Sequence, residues 1–460
     1  MLHTVSAPSS PTANAENKPC ICIFSALYEP HIGGVESYTK GIAEALVAKG
    51  QRVIVFTMNT NDAATEETSN GVEIIRLPCR PFLNGRFPLP LSNNEADRLW
   101  SWLKQQPVDN VVINTRFYCL SSQGAHFARR RGIVPILIEH GSAHLTLGNP
   151  ALDAPLHLIE HAMTASIKRY NPTCFAVSKK ASAWLSHFGI ASQGEIPNAI
   201  DADAFVNQAS NRDFRSELGI PEGAFLVAFA GRFVPEKGVL QLAEAIKDLE
   251  ADCNIFAVMA GDGPLRCKAQ QLGAARLATP GTLSKSDLAA LLLQADALCL
   301  PSRSEGFCTM FLEAAACGTA IIATDVGGMH EIAPTNEYGI LLESMSASDV
   351  KAALEKAAST RQQSSIWENS LLQEFAVNAP GGNRPISSSG ISHTLLVQDN
   401  TPLPFQCAYK NIDASVSIAH SLASHTSVHT VRSPALAIAH ATCSWFKDYS
   451  AIQRTQSESV

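Results

Sequence analysis

The chain has 460 residues, 46% of them hydrophobic and 17% charged, which is enough apolar material for two substantial cores. Its 35 basic and 42 acidic residues give a net charge of −7, which argues against the basic face of a general nucleic-acid binder. Mean hydropathy is +0.04, and no apolar run approaches the roughly 18 residues of a membrane span.

Residues 1–18 are polar, contain two prolines and lack the charged-then-apolar order of a secretory leader; they read as a disordered tail. From Cys20 onward, strand and helix signals alternate. CICIFSA (20–26) is a short apolar run of β-formers. A glycine loop follows, then VESYTKGIAEALVAKG, whose apolar residues recur at helical spacing and which stops at Gly50. Strands are predicted at 52–57, 72–77, 110–114, 134–139 and 173–177. Helices are predicted near 94–105, 122–131, 155–169 and 179–188. Apolar strands separated by helices imply a parallel sheet covered on both faces.

The pattern restarts at FLVAFAG (225–231) and continues through 254–261, 297–301, 319–324 and 339–342. Two successive α/β blocks predict two Rossmann-like domains facing a cleft, spanning residues 19–205 and 206–357, with ligands at the carboxyl ends of the strands. Charge divides along similar lines. Residues 1–200 carry 17 basic and 15 acidic groups, residues 201–357 carry 12 and 21, and residues 358–460 carry six of each. Arg129-Arg130-Arg131, Lys168-Arg169 and Lys179-Lys180 are either ordinary solvated helix ends or a surface for anionic lipid or an anionic acceptor.

The 12 cysteines form no CxxC pair and no zinc-type spacing with histidine. Cys20, Cys22, Cys174, Cys253 and Cys299 fall in or beside apolar runs and read as buried thiols of a reducing compartment.

Four loops after strands carry candidate chemistry. In EPHIGGVES (29–37), Gly33 and Gly34 precede a helix whose free amides favour an anion; the pattern is not a dinucleotide fingerprint. In GRFVPEKG (231–238), Arg232 and Lys237 flank a short loop from which both can reach one anion. In SRSEGFCTMFLEAAACG (302–318), Glu305 belongs to the loop, and a helix runs on to close at Gly318. The amides of Phe307, Cys308, Thr309 and Met310 would face an anion there, and Glu313 would face the cleft and hold vicinal hydroxyls. In EHGSAH (139–144), His140 is either a surface residue or a donor to a hydroxyl or carbonyl. Asp201-Ala202-Asp203 matches a metal-binding DxD, but reads as a turn with a helix-capping aspartate.

Together these segments resemble glycosyltransferase family 4, retaining enzymes of GT-B fold. The carrying features are PxxGGVE at 30–36, IPNAID at 196–201, GRFVPEKG at 231–238, GDGP at 261–264 and the E-x7-E of EGFCTMFLE at 305–313, in the family's order from about residue 19 to 357. The resemblance implies a nucleotide-sugar donor, a glycan or lipid-linked acceptor and no metal or other cofactor. It implies a hexose-type transfer in polysaccharide biosynthesis, at a cytoplasmic location with peripheral contact to an anionic membrane.

Carried onto these residues, the resemblance gives Arg232 and Lys237 the donor diphosphate and Glu313 the ribose. Glu305, Gly306 and the amides of Phe307 to Met310 take the donor sugar and distal phosphate. Gly33 and Gly34 approach the donor from the N-terminal domain, and His140 contacts the sugar near the reacting carbon. His140, Glu305, Arg232 and Lys237 are the catalytic candidates, with no metal ligand. A catalytically impaired nucleotide-sugar-binding relic and a nucleotide-sugar 2-epimerase are the alternatives.

Residues 358–460 depart from the family. Residues 361–460 hold 17 serines, 12 charged residues and five histidines without sustained helical period. This stretch is read as an atypical, disordered tail arising from a frame slip or mismatched fusion near 357–380. His420, His425, His429 and His440 lack the carboxylate or thiol scaffold of a metal site.

Overall fold

The computed structural model describes residues 19–363, apart from 32, 83, 84, 86, 147–149, 251, 252 and 334–338. The expectations for residues 1–18 and for 364–460, among them the tail histidines and most of the frame-slip window, lie outside the described residues.

In chain order the elements begin with β1 (Cys20–Ser25), α1 (Gly34–Ala48), β2 (Arg52–Asn59), β3 (Glu66–Ser69), β4 (Val72–Phe82), β5 (Phe87–Pro90) and α2 (Asn94–Gln105). They continue with β6 (Asn110–Asn114), α3 (Cys119–Arg130), β7 (Ile136–Glu139), α4 (Pro150–Lys168), β8 (Thr173–Ala176), α5 (Lys179–His187), α6 (Ala202–Asn207) and α7 (Phe214–Glu217). The second series is β9 (Phe225–Ala230), α8 (Val239–Lys247), β10 (Ile255–Ala260), α9 (Arg266–Gly273), β11 (Leu277–Gly281), α10 (Lys285–Gln294), β12 (Ala297–Leu300), α11 (Thr309–Ala316), β13 (Ala320–Thr324), α12 (Met329–Ile332), β14 (Gly339–Leu342) and α13 (Ala347–Gln363).

Packing separates two units. The first holds 19–139 and 144–175; the second holds 140–143 and 176–363. Residues 176–205, which the sequence reading gave to the first block, thus pack with the second. Ser178 caps α5 by accepting from the Ala181 amide at 3.1 Å, and its hydroxyl donates to the Gly306 carbonyl at 2.7 Å. The Lys179 amide donates to Glu331 Oε1 at 2.8 Å, and Lys180 Nζ pairs with Asp325 Oδ1 at 2.8 Å.

The first unit is built on a sheet of order β3-β4-β2-β1-β6-β7-β8, with β5 paired to β4. All six residues of β1 are buried because helices cover both faces of the central strands. β1 pairs parallel with β2 (Ile23 opposite Val55) and with β6 (Ile23 opposite Val112). Phe24, Phe56, Trp100 and Phe127 form an aromatic cluster with centroids 4.8 to 6.4 Å apart. Gly124 is required by this packing, since a Cβ there would lie 2.6 Å from the Phe24 ring. The central strands are parallel, as expected from the sequence, and the edge adds two antiparallel strands: β3 and β5 run antiparallel to β4. Both are short, and β5 carries prolines that only an edge strand tolerates.

The second unit has a six-stranded parallel sheet of order β11-β10-β9-β12-β13-β14. Its core combines large side chains (Phe229, Phe233, Phe311) with fully buried alanines (Ala228, Ala245, Ala289, Ala297, Ala314) that let helices approach the sheet closely. Asp201 is the N-cap of α6, its Oδ1 accepting from the Ala204 amide at 2.9 Å, so the DxD aspartate has a structural partner.

Candidate functional site

From β9 the chain winds outward to β10 and β11, then returns to β12 beside β9 and winds the other way. The crevice of such a sheet lies at the carboxyl ends of the strands flanking the reversal, here β9 and β12. Loop 231–238 leaves β9, and loop 301–308 leaves β12.

These two loops are fastened together. The Arg303 amide donates to the Glu236 carbonyl at 2.8 Å. Lys237 Nζ meets Glu305 Oε1 at 2.5 Å, with both side chains largely buried. Gly238 has φ of +68° and lies so close to Pro301 that a Cβ would overlap it. Lys237 is therefore already paired, where the sequence had it open to an anion. Arg232 remains exposed at the other end of its loop.

The GDGP turn buttresses the same place. The Phe233 amide donates to the Asp262 carbonyl at 2.8 Å, and the Leu265 amide to the Phe233 carbonyl at 3.1 Å. Gly263, at φ of +151°, approaches the Phe233 backbone so that a Cβ would lie 2.7 Å from its carbonyl oxygen. Glycine is demanded there on both steric and conformational grounds.

α11 starts at Thr309 with Cys308 as its N-cap, and the chain closes after it at Gly318 in the left-handed region. The Cys308 amide donates to the Gly327 carbonyl at 2.9 Å, so that member of the expected amide set is committed to the fold. The amides of Phe307, Thr309 and Met310 stand beside it at the helix start. Burial pushes the Cys308 thiol far above the usual range. Glu313 sits half-buried along the helix. Desolvation raises its carboxyl to about 7, against a lowering influence from Lys285.

His140 belongs to this second unit. A Cβ on Gly306 would overlap the His140 carbonyl oxygen, and Ser142 Oγ donates to the Glu305 carbonyl at 2.5 Å. Burial lowers the His140 imidazole to about 3, so it is neutral near pH 7 and interacts as a dipole rather than a charge. His140, Lys237, Glu305 and Gly306 are thus gathered around one loop.

Gly33 and Gly34 lie in the first unit. Gly33 is the N-cap of α1 in extended conformation. The anion expected there has an internal rival. The buried Glu36 carboxylate, in the first turn, folds back against Gly33 and meets His31 Nδ1 at 2.7 Å.

The sequence reading missed Ser142, Ser178 and the turn after β13. In that turn Gly327 and Gly328, both at positive φ, pack against Glu305 and the Phe307 ring. Their signal was a second Gly-Gly pair directly after a strand. It also missed Arg116, Glu139, His144 and Glu160 in the first unit, which gather only in three dimensions.

Each unit is thus Rossmann-like by itself, and two such units in one chain are the make-up of the GT-B class of glycosyltransferases. Comparison with known proteins agrees. The family model for Glycosyltransferase Family 4 matches residues 32–204, and that for Glycosyl transferases group 1 matches 210–370. The chain is 32% identical over 281 residues to the putative teichuronic acid biosynthesis glycosyltransferase TuaC of Bacillus subtilis, covering 59% of this chain and 67% of that one. It is 26% identical over 355 residues to a phosphatidylinositol N-acetylglucosaminyltransferase component of Arabidopsis thaliana, covering 74% of each. Among solved structures, HepE of Anabaena in complex with UDP and glucose aligns with a TM-score of 0.58 at 17% identity, over 78% of this chain and 95% of that one. The protein belongs to glycosyltransferase family 4.

Proposed function

We propose that the protein transfers a hexose-type sugar from a nucleotide-sugar donor to a glycan or lipid-linked acceptor, with retention and without a metal. The single observation that carries this reading is the Lys237–Glu305 pair, which joins the loops after β9 and β12 at the reversal point of the second sheet. The UDP and glucose in the HepE complex support the donor class, and the phosphatidylinositol in the name of the Arabidopsis relative supports a lipid-linked polyol as acceptor.

The chemistry follows from charge. Breaking the anomeric C–O bond leaves an oxocarbenium-like sugar and a diphosphate gaining negative charge. Arg232, Lys237 and the amides at the start of α11 neutralise that charge. Glu305 holds Lys237 in place until the diphosphate arrives, then turns to the donor sugar. Glu313 accepts from the ribose hydroxyls. Neutral His140 and the backbone of Gly306 contact the sugar, and Gly33 and Gly34 leave the start of α1 open to close approach by an anion. No helix among the described residues is long and apolar enough to cross a membrane. The location proposed is cytoplasmic, with Lys168, Arg169 and the Arg129–Arg131 run toward anionic lipid.

A thermal-shift panel of UDP-, GDP- and ADP-sugars identifies the donor. Radiolabelled donor is then offered to phosphatidylinositol vesicles, inositol 3-phosphate and lipid-linked glycans. Transfer supports the reading. Donor binding without transfer indicates a relic, epimer formation an epimerase, and no binding overturns it.

A further inference from the structure

The buried charges of the first unit, Arg116, Glu139 and Glu160, pair with one another and with His144. In the second unit, polar contacts that the donor chemistry does not yet use gather on the loop leading into α11. They come from two serines far away in the chain. Ser142 Oγ donates to the Glu305 carbonyl at 2.5 Å and lies 3.2 Å from Ser304 Oγ. Ser178 Oγ donates to the Gly306 carbonyl at 2.7 Å and accepts from the Ala181 amide at 3.1 Å. A hydroxyl has one proton to donate. Each serine gives its proton to a carbonyl of this loop, so Ser142 accepts from Ser304. Both serines precede the second sheet in sequence, yet both pack in the second unit.

The two carbonyls belong to consecutive peptides. A peptide is planar and trans, so its N–H points opposite to its C=O. Holding the Glu305 carbonyl therefore aims the Gly306 amide, and holding the Gly306 carbonyl aims the Phe307 amide, each away from the serine that holds it. Neither amide meets an acceptor among the described residues, whereas the next one, Cys308, donates to the Gly327 carbonyl at 2.9 Å. Packing keeps the loop from turning inward. Gly306 lies against the His140 carbonyl, and Gly327 and Gly328 lie against Glu305 and the Phe307 ring. Lys237 Nζ meets Glu305 Oε1 at 2.5 Å, so a cation stands at the same loop. Two fixed, adjacent N–H groups beside an ammonium suit an oxygen anion.

We propose that Ser142 and Ser178 are positioning residues of the donor site, which hold the Gly306 and Phe307 amides toward the distal phosphate of the nucleotide sugar. The proposal rests on the donor reading above and adds the two groups that preset its amides. Neither serine touches the donor. Amides already held in place need no reorganisation as charge grows on the departing phosphate.

Calorimetric titration of the full chain with nucleotides that lack a sugar tests this. UDP, GDP and ADP are screened, and the one that binds the wild type best is compared with its monophosphate, which has no distal phosphate. Ser142→Ala and Ser178→Gly should each bind the diphosphate about 10-fold more weakly and the monophosphate as the wild type does. Glycine is a fair N-cap, so Ser178→Gly keeps the start of α5 while removing the donated proton. Ser142→Thr and Ser178→Thr retain the hydroxyl and should recover most of the diphosphate affinity. Unchanged diphosphate affinity in either variant removes that serine from the role, and in both it overturns the proposal. So does equal weakening of diphosphate and monophosphate, which would make the serines general supports of the fold, and so does failure of both threonine variants to recover affinity. Should Ser178→Gly not fold, Ser142→Ala, which caps no helix, decides the matter. A wild type that binds none of the three nucleotides strikes the donor reading instead, and this proposal with it.

Discussion

Lys237 Nζ lies 2.5 Å from Glu305 Oε1, and the two residues come from different strand ends 68 positions apart in the chain. The pair neutralises itself in the unliganded protein. Under the proposed function, a diphosphate that took Lys237 would release Glu305 toward the sugar and so couple leaving-group binding to sugar binding.

Removing the lysine should expose that coupling. Lys237→Ala leaves the largely buried Glu305 carboxylate without its cation, and should lower stability by about 1–3 kcal/mol. Turnover should fall about 100-fold or more. The Lys237→Ala/Glu305→Gln double variant should regain most of the stability and none of the turnover. Thermal melts and initial rates report both, and a double variant as active as the wild type would refute the coupling.

Gly306→Ala tests the packing of the donor loop. A methyl there would overlap the His140 carbonyl oxygen, which belongs to backbone and cannot swing aside. The loop must shift, and with it Glu305 and the start of α11. A lowered melting temperature together with loss of the donor-induced thermal shift is expected. An unchanged donor shift would mean the loop does not bind donor.

Glu313 gives a pH signature. Burial raises its carboxyl from 4.5 to about 7 in the folded chain. Its neutral form is compatible with the folded site at low pH, and ionisation imposes a cost as pH rises. The stabilising contribution is therefore complete below about 4.5 and is lost through about 7, amounting to roughly 3 kcal/mol at most. Glu313→Gln should melt like the wild type near pH 4.5 and higher than it near pH 8. Donor affinity of the wild type should rise through pH 7 if the ionised carboxylate grips the ribose, and the variant should be flat. Chemical melts and calorimetry across this range decide it; parallel stability profiles would contradict the assignment.

Much of this was legible in the sequence, for identifiable reasons. β1, β9 and β12 are short apolar runs that make sense only when covered on both faces, and the loops after β9 and β12 carry glycine beside charge. The elements that stayed hidden lack such patterning. β3 is the polar segment EETS and owes its existence to pairing with β4. β11, LATPG, contains a proline and pairs only with β10. Arg116, Glu139, His144 and Glu160 come from four separate segments, and no linear spacing relates them. Lys237 looked like an open cation because its partner lies 68 residues away.

The thiols give an independent check on the packing. Burial pushes Cys20 and Cys79 up to about 11, and Cys174 and Cys317 up to about 12. Cys267 on α9 is exposed. Brief maleimide labelling of the native protein at neutral pH should modify Cys267 first among the described cysteines and spare Cys20, Cys22, Cys299 and Cys308. Peptide mapping in which β1 or β12 thiols react as fast as Cys267 would contradict the packed sheets.

Calorimetric titration of UDP-, GDP- and ADP-sugars into the wild type, Arg232→Ala and Lys237→Ala, each first checked for an intact melt, bears most closely on the donor site. At least one nucleotide sugar should bind the wild type, and both variants should bind it at least 10-fold more weakly, about 1.4 kcal/mol each. Equal affinity in all three proteins would place the diphosphate elsewhere and contradict the assignment of these two cations.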